Sequence, residues 1–402
     1  FAARTQLADG TPVLRMYEFE RIRAAVYQMD FFLPEGSRWL YARMRIVNPA
    51  KETVPMYWWS NIAVPEDARA RVIIPADQTY TNRRNRVSKT TVPVSNGTDI
   101  TYPTNNPYSV DFFWKLRKGA RRFVTQLNAD GYGLCQTSTD RLQGRKLFVW
   151  GQQPGGAHWQ RYLSGDGCDG RYVEIQAGLA HTQYECIPMP PETAWEWLEA
   201  YGPLQVDAPV VHGAWPGAIT SVENALQAAL PRESLDSLLA STHAMAVSPA
   251  ERLLQRGAGW GALEAARRAR TGEKPLCPHL DFGEPGPMQQ PWLALLQGGS
   301  MGPVDCALPP ESWMAQPQWL ALLREAVAEK DRQNAYAWLQ LGMAELAACR
   351  PNEARTALEC SLALEPSCWA QYGLAQLARL EGNAKEAARL CVLAAQAARD
   401  DG

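Results

Sequence analysis

The chain has 402 residues, 46% of them hydrophobic, and a formal net charge of −2, which suits two or three globular domains. This charge gives no basic surface for nucleic acid or an anionic membrane, and no apolar run is long enough to cross a bilayer. The nine cysteines form no C-x-x-C pair, which favours reduced thiols in a cytosolic protein. Cys277 and His279 alone do not make a zinc site, so we expect neither a metal nor a cofactor.

The first half of the sequence has the pattern of β-strands. Between Pro12 and about residue 205, short runs rich in β-branched and aromatic residues alternate with turn-forming segments. No helical period separates these runs, so we expect a large antiparallel sandwich. Residues 79–106 are rich in Thr, Asn and Arg and predict a long loop. The predicted strands are 13–19, 39–47, 55–64, 72–74, 111–116, 133–138, 146–150, 172–177, 181–187 and 194–201.

The sequence after about residue 215 has a helical period. Apolar residues at three- and four-residue spacing predict helices over 218–230, 233–245 and 249–254. A further helix is expected to open at Gly257 and run to Arg270. Residues 272–310 are rich in Pro and Gly and predict a linker.

The end of the chain is helical and repetitive. Leu341-Gly342 is related to Leu374-Ala375 by the same offset that relates Glu353-Ala354 to Glu386-Ala387. This offset is close to the tetratricopeptide unit of about 34 residues, a helix-turn-helix repeat. A helix over 319–329 is expected to complete a partial repeat before them.

These patterns divide the chain into three expected regions. They are a β-sandwich domain (1–208), a helical connector with a Pro/Gly-rich linker (209–310) and tetratricopeptide-like repeats (311–402). The chain begins at Phe1 without Met and enters a strand pattern at once, which predicts a sandwich that lacks its first strands. We expect a cytoplasmic protein; a signal peptide, if one exists, would precede Phe1.

One predicted strand carries an unusual polar face. Side chains alternate along a strand, so Tyr172, Glu174 and Gln176 point to one face, and Val173 and Ile175 point to the other. A carboxylate beside an amide suits a polar ligand such as a sugar and suits a hydrophobic core badly. The simpler interpretation of the same alternation is a solvated sheet face.

Two segments of the β region resemble the galactose mutarotase (aldose 1-epimerase) superfamily. The first runs from Arg43 to Asn61 and matches a strand, an Asn-containing turn and a second strand that ends in His-x-Tyr-Phe-Asn. The second is Glu174-Ile-Gln176, followed by Pro190-Pro-Glu-Thr and an aromatic strand over 195–201. The resemblance implies a mutarotase-like supersandwich in which Glu174 occupies the position of the catalytic base.

The whole chain is similar to the bacterial family called domain of unknown function 5107 (DUF5107) joined to tetratricopeptide repeats. This resemblance implies the same supersandwich fold and names no reaction. The motifs that carry it are Met56-Tyr-Trp-Trp-Ser-Asn-Ile-Ala-Val64, Gln136-Thr-Ser-Thr-Asp140, Gly144-Arg-Lys-Leu-Phe-Val-Trp-Gly151, Glu174-Ile-Gln-Ala-Gly-Leu-Ala180, Glu199-Ala-Tyr-Gly202 and Gly259-Trp-Gly-Ala-Leu-Glu264.

The sequence departs from the mutarotase motifs at two positions. The acid histidine of that superfamily stands four residues before the Asn, and Tyr57 occupies this position. A tyrosine is a poorer acid than a histidine at neutral pH. The Asp-His pair of the superfamily becomes Asp99-Ile100, which keeps only the carboxylate. A simple mutarotase is therefore not expected.

We predict a carbohydrate-active domain that acts at the anomeric centre, by glycoside hydrolysis or epimerisation, with Glu174 as the base. The second carboxylate would be Asp99, or Glu185 on the next strand, and Tyr57 is the acid candidate. The simpler roles are a turn cap for Asp99, a structural role for Glu185, a surface salt bridge for Arg145 and an exposed loop position for His158. The predicted sugar-binding residues are Trp59, Asn61, Gln176, Arg145, Glu185 and His158.

A second hypothesis is a glycan-binding adaptor without catalysis, whose helical repeats recruit a protein partner. Loss of the histidine at Tyr57 favours this reading, and retention of Glu174 opposes it. The two hypotheses differ in the expected pocket. A catalytic site needs two carboxyl groups roughly 5–10 Å apart across an aromatic cleft.

Overall fold

The computed structural model describes residues 1–83, 86–165, 167, 170–306 and 308–398. The chain forms two compact units. One comprises residues 2–17 and 26–255; the other comprises residue 1, residues 18–25 and the chain from residue 256 onwards. The region boundaries expected at 208 and 310 stay predictions.

The described residues contain nineteen β-strands, most of them in two antiparallel sheets. The nine-stranded sheet has the order β19-β1-β2-β3-β4-β18-β14-β13-β7, and the six-stranded sheet has the order β6-β16-β15-β12-β8-β9. Two small sheets pair β10 with β11 and β5 with β17. In chain order the strands are β1 Ala2–Gln6, β2 Pro12–Glu20, β3 Ala25–Phe32, β4 Leu40–Asn48, β5 Val54–Met56, β6 Trp59–Pro65, β7 Arg71–Ile73, β8 Ala76–Arg83, β9 Arg86–Thr91, β10 Val94–Ser95, β11 Thr98–Asp99, β12 Val110–Leu116, β13 Phe123–Leu127, β14 Tyr132–Ser138, β15 Gly144–Val149, β16 Tyr172–Gly178, β17 Ile187–Met189, β18 Thr193–Gln205 and β19 Arg252–Gln255.

The described residues also contain twelve α-helices. They are α1 Pro154–Ser164, α2 Ala208–Val211, α3 Trp215–Ala229, α4 Arg232–Ser241, α5 His243–Ala246, α6 Trp260–Thr271, α7 Gln290–Gly298, α8 Pro317–Ala328, α9 Ala335–Ala347, α10 Pro351–Leu364, α11 Cys368–Leu380 and α12 Ala384–Ala397. The predicted class, an antiparallel β-sandwich followed by a helical region, is confirmed.

The nine-stranded sheet lies between two other layers of its unit. One face contributes Leu198 and Ala200 to a hydrophobic core that also contains Ile219 and Val222 of α3. The opposite face points to the six-stranded sheet. There the carboxylate of Glu199 on β18 accepts hydrogen bonds from four side chains, one of them on β6. These donors are Ser60 Oγ at 2.6 Å, Tyr201 Oη at 2.8 Å, Gln136 Nε2 at 3.0 Å and Trp197 Nε1 at 3.2 Å.

Four local predictions are wrong. Residues 79–106 contain the hairpin β8–β9 and the pair β10–β11, because a hairpin with two polar faces lacks the apolar alternation that marks a half-buried strand. The helix expected over 249–254 is replaced by β19, which pairs with β1. Residues 181–186 form a loop, and the next strand, β17, begins only at Ile187. The predicted linker over 272–310 contains α7.

The helices α9 to α12 form two antiparallel pairs, as the repeat pattern predicts. Asn334, Ser367 and Asn383 cap the N-termini of α9, α11 and α12, each by accepting a hydrogen bond from a backbone N–H in the first turn. Leu358 of α10 is fully buried and packs where Gly342 of α9 and Gly373 of α11 leave space. A Cβ at Gly342 would lie 2.6 Å from Leu358 Cγ.

An ion-pair cluster closes the C-terminal end of α6. Arg267 donates to both carboxylate oxygens of Glu273, at 2.7 and 3.0 Å, and to Glu264. The Arg267 hydrogen bond lowers the pKa of Glu273 to about 2, although partial burial opposes this shift.

No disulfide bond joins any of the eight described cysteines. Across the described part of the chain, no helix combines the length and the apolar character that a membrane crossing requires.

Candidate functional site

The outer face of the six-stranded sheet brings together four of the predicted site residues. Gln176 on β16 lies opposite Asn61 on β6, and Gly178 lies opposite Trp59. Because side chains alternate along β16, Glu174 shares this face with Gln176. The opposite face of β16 carries Val173 and Ile175, which are fully buried in the sandwich core. The apolar side chains of this strand therefore fix the direction in which Glu174 points.

The carboxylate of Glu174 is held by two amide groups. Its Oε2 accepts hydrogen bonds from Asn61 Nδ2 at 2.6 Å and from Gln176 Nε2 at 3.0 Å. Glu174 is half-buried, Asn61 is exposed and Gln176 is 4% exposed. Among the described residues, none donates a hydrogen bond to Oε1. One carboxylate oxygen is therefore oriented by the protein, and the other can accept a proton or a hydrogen bond from a ligand.

A chain of hydrogen bonds continues from Gln176 across the next strands. Gln183 Nε2 donates to Gln176 Oε1 at 2.9 Å, and Lys146 Nζ on β15 donates to Gln183 Oε1 at 2.7 Å. Lys146 Nζ also lies 2.6 Å from Asp111 Oδ1 on β12. The polar array thus connects Glu174 with a lysine and with a second carboxylate.

Aromatic rings surround this polar array on the same face. The indole of Trp59 lies over Gly178, where a Cβ would come within 2.2 Å of the ring. Trp59 packs edge-on against Phe113, with ring centroids 5.9 Å apart. Tyr172 precedes Glu174 on this face, and its ring packs against the ring of Trp150, with centroids 6.0 Å apart. Such rings give the apolar face of a sugar a surface on which to stack.

Asp111 and Lys146 are site residues that sequence reasoning missed. Asp111 lies opposite Phe148, and Phe148 lies opposite Glu174, so the two carboxylates occupy one row across three strands. Two strand spacings place their Cα atoms roughly 10 Å apart. The only sequence signal for these two residues was the alternation of side chains along each strand. It places Asp111 with Phe113 on one face of β12, and Lys146 with Phe148 on one face of β15. Only the strand order shows that these faces are the same.

The structure places Asp99 away from this array. Asp99 ends β11, and its carboxylate accepts from Arg71 Nη2 at 3.1 Å and from the backbone N–H and hydroxyl of Thr101. Arg71 also donates to the carbonyls of Val211 and Gly213. These contacts are those of a residue that anchors a turn to the start of the helical layer.

Arg145 points into the sandwich, opposite to its neighbour Lys146. It is 0% exposed and donates to Ser138 Oγ at 2.7 Å, so the simpler interpretation as a surface salt bridge is wrong. Burial lowers the pKa of Arg145 to about 10, and the nearby carboxylate of Glu199 partly offsets this shift. The structure does not bring Arg145 to Glu174.

The remaining predicted residues lie around the array. Glu185 Oε2 accepts from the backbone N–H and the hydroxyl of Thr182, at 3.0 and 2.9 Å, and closes a turn in the loop after β16. Glu185 also lines a cavity of 380 Å³ with Tyr184 and His181. Tyr57 is half-buried in the link between β5 and β6. His158 lies exposed on α1 and packs edge-on against the next residue, Trp159.

In the described part of the chain, no group of three or more His, Cys, Asp or Glu side chains is arranged to hold a metal ion. The side chains of the array offer the carboxylates of Glu174 and Asp111 and the ammonium group of Lys146. They also offer the amide groups of Asn61, Gln176 and Gln183.

Comparison with known proteins connects these features to a family. Residues 4–190 match the family model described as Domain of unknown function (DUF5107). The chain is similar to the solved structure of a TPR-domain containing protein from Parabacteroides distasonis, with 18% identity and a TM-score of 0.61. That similarity covers 100% of this chain and 59% of the other, so this chain spans less than two thirds of that protein's length.

Solved structures with lower similarity include two named for sugar epimerisation. A putative aldose 1-epimerase from Escherichia coli K12 is 12% identical over 51% of this chain and 69% of its own, with a TM-score of 0.37. A galactose mutarotase-like protein from Clostridium acetobutylicum is 12% identical over 51% of this chain and 66% of its own, also with a TM-score of 0.37. Curated proteins gave no match. The family model matches residues 4–190, slightly less than half of the chain, and this match agrees with the resemblance that the motifs of the β region indicated.

Proposed function

We propose that the β region binds a sugar on the outer face of the six-stranded sheet and acts at its anomeric centre, with Glu174 as the base. The observation that carries this proposal is the unequal hydrogen bonding of the two oxygens of the Glu174 carboxylate. Asn61 and Gln176 fix one oxygen, and the other oxygen takes no hydrogen bond from the described residues. A carboxylate oriented in this way is prepared to remove a proton from an anomeric hydroxyl or from a water molecule.

The groups around Glu174 support a sugar as the substrate class. Asn61 and Gln176 offer amides to hydroxyl groups, and Trp59 offers a ring for stacking. Asp111 replaces Asp99 and Glu185 as the second carboxylate in this proposal, because it stands in the same row of the sheet. A Cα separation of roughly 10 Å is compatible with two carboxyl groups that flank one glycosidic bond.

The test of this proposal is proton NMR with a panel of free sugars and oligosaccharides. The wild-type chain is compared with Glu174→Gln, which keeps the shape of the side chain and removes its basicity. The matched control is Glu52→Gln, because Glu52 is exposed and its side chain makes no hydrogen bond to another described residue. Anomer exchange indicates epimerase chemistry, and bond cleavage indicates hydrolysis.

We expect the wild type and the control to convert one class of sugar and Glu174→Gln to be at least about 100-fold slower, the usual contribution of a general base. Equal rates in all three proteins would show that Glu174 is not the base. Absence of both binding and turnover in the wild type would remove the sugar hypothesis altogether.

A glycan-binding adaptor is the second candidate function. The observation in its favour is that, among the described residues, no histidine hydrogen bonds to Glu174. In this candidate the helical repeats recruit a protein partner, for which Tyr372 and Leu380 on α11 offer exposed side chains. Sugar binding without turnover in the NMR panel would select it. The described cysteines form no disulfide bonds, which is consistent with either candidate acting in the cytoplasm, the compartment we propose.

A further inference from the structure

The side chain of Gln183 stands where a sugar hydroxyl would be expected to bind. Gln183 lies in the loop between β16 and β17. Its Oε1 accepts a hydrogen bond from Lys146 Nζ, and its Nε2 donates to Gln176 Oε1. A sugar hydroxyl has the same capacity, because its oxygen accepts one hydrogen bond and its hydrogen donates another. The Gln183 amide therefore uses one donor of the array, Lys146 Nζ, and one acceptor, Gln176 Oε1.

The two groups that Gln183 contacts are buried. Lys146 is 5% exposed and Gln176 is 4% exposed, whereas Gln183 itself is half-buried. Lys146 Nζ lies 5.3 and 5.4 Å from the ring centroids of Phe113 and Phe148. Its ammonium group has three N–H donors, and the described residues supply two acceptors, Gln183 and Asp111. A buried donor without an acceptor is costly, and a ligand oxygen would satisfy it.

We propose that Lys146 and Gln176 form a hydroxyl-binding subsite for a neutral sugar, and that Gln183 occupies this subsite until a sugar displaces it. The sugar is expected to be neutral because Asp111, 2.6 Å from Lys146 Nζ, already balances the charge of the ammonium group. An anionic sugar would have to approach this carboxylate as well as Glu174. The inference rests on the proposed function, since it assigns the substrate class and a binding group of the same site.

The test uses two substitutions of opposite expected sign. Gln183→Ala removes the competing amide, so the apparent affinity for a sugar should rise. The rise should be about tenfold if Gln183 leaves the subsite empty in only a minor fraction of the wild-type molecules. Gln183→Glu places a carboxylate on Lys146, and such charge-assisted hydrogen bonds are stronger, so affinity should fall. A gain of affinity cannot come from misfolding. The control is Cys186→Ser, an exposed position in the same loop.

The probes are D-glucose and D-galactose, with D-glucuronate and glucose 6-phosphate as charged counterparts. The binding of each probe is measured by ligand-observed NMR titration. Lys146→Met keeps the apolar stem between the two phenylalanine rings and removes the ammonium group. It should weaken binding of the neutral sugars about tenfold or more and should cancel the gain from Gln183→Ala. If this variant does not fold, the opposite signs of the two Gln183 variants decide the question alone.

The outcomes separate the subsite from the proposed function. If the wild type binds a neutral sugar, Glu174→Gln slows turnover, and both Gln183 variants bind like the wild type, the subsite is refuted and the proposed function stands. Tighter binding of the charged sugars refutes the neutral substrate class. If neither the wild type nor Gln183→Ala binds any probe, the proposed function fails, and the subsite fails with it.

Discussion

The buried carboxylate of Glu199 allows a quantitative test of how the two sheets are joined. Glu199 is 1% exposed and accepts hydrogen bonds from Ser60, Gln136, Trp197 and Tyr201. Replacing it with glutamine keeps the volume and removes the charge and one acceptor oxygen. The hydroxyls of Ser60 and Tyr201 can rotate to accept from the new amide N–H groups. The indole N–H of Trp197 has no such freedom. A flip of the Gln136 amide would turn its N–H groups to the side where its buried oxygen now has no hydrogen-bond partner.

The expected loss follows from counting these donors. The remaining amide oxygen serves one nitrogen donor well, so about one buried N–H loses its acceptor, which costs about 1–3 kcal/mol. Replacing charge-assisted by neutral hydrogen bonds adds about 1 kcal/mol. Glu199→Gln should therefore destabilise the joined sheets by about 2–4 kcal/mol, which corresponds to an opening equilibrium about 30- to 1,000-fold more favourable.

Hydrogen exchange followed by mass spectrometry is the suitable assay, because the chain has two compact units and need not unfold in one step. Peptides from β6, β14 and β18 should exchange faster in Glu199→Gln, while peptides from α9 to α12 should be unchanged. Glu52→Gln should match the wild type throughout. If exchange in β6 and β18 changes by less than about threefold, the four donors do not depend on the carboxylate, and the reasoning is wrong.

Three further predictions concern other parts of the chain. Folding lowers the pKa of Glu273 from its ordinary 4.5 to about 2. The ionised Glu273 side chain therefore contributes its full stabilisation above pH 4.5, and this contribution is lost as the pH falls towards 2. Thermal unfolding at a series of acidic pH values should show the stability difference between wild type and Glu273→Gln shrinking in this window. Gly342→Ala forces a methyl group against Leu358 and should destabilise the repeats by about 1–3 kcal/mol, measured by loss of helical circular dichroism on heating. Gly178→Ala displaces the Trp59 ring and should weaken sugar binding in the NMR titration, whereas unchanged binding would exclude Trp59 as a stacking surface.

The sequence predicted the face that carries Glu174 because alternation depends only on neighbours along one strand. Alternation placed Gln176 on the same face, whereas Asn61 was assigned to the site through the motif that it shares with the mutarotase superfamily. Asp111 and Lys146 could not be found in this way, because their position depends on the pairing of β12, β15 and β16, which are separated along the chain. The fold class followed from hydrophobic patterns, and the missed hairpin β8–β9 shows where a polar strand gives no such pattern.

The shared position of Leu358 has a consequence for how the repeats unfold. This side chain fills space left by Gly342 in the helix before it and by Gly373 in the helix after it. In a linear array, stability is the sum of each repeat and its interfaces with its neighbours. Because Leu358 packs in two adjacent helix interfaces, part of the stability of the repeats depends on the interface between them and not on each repeat alone. Fraying of α11 and α12 would therefore expose Leu358 and loosen α9, so these helices should melt cooperatively as one block rather than peel away in sequence.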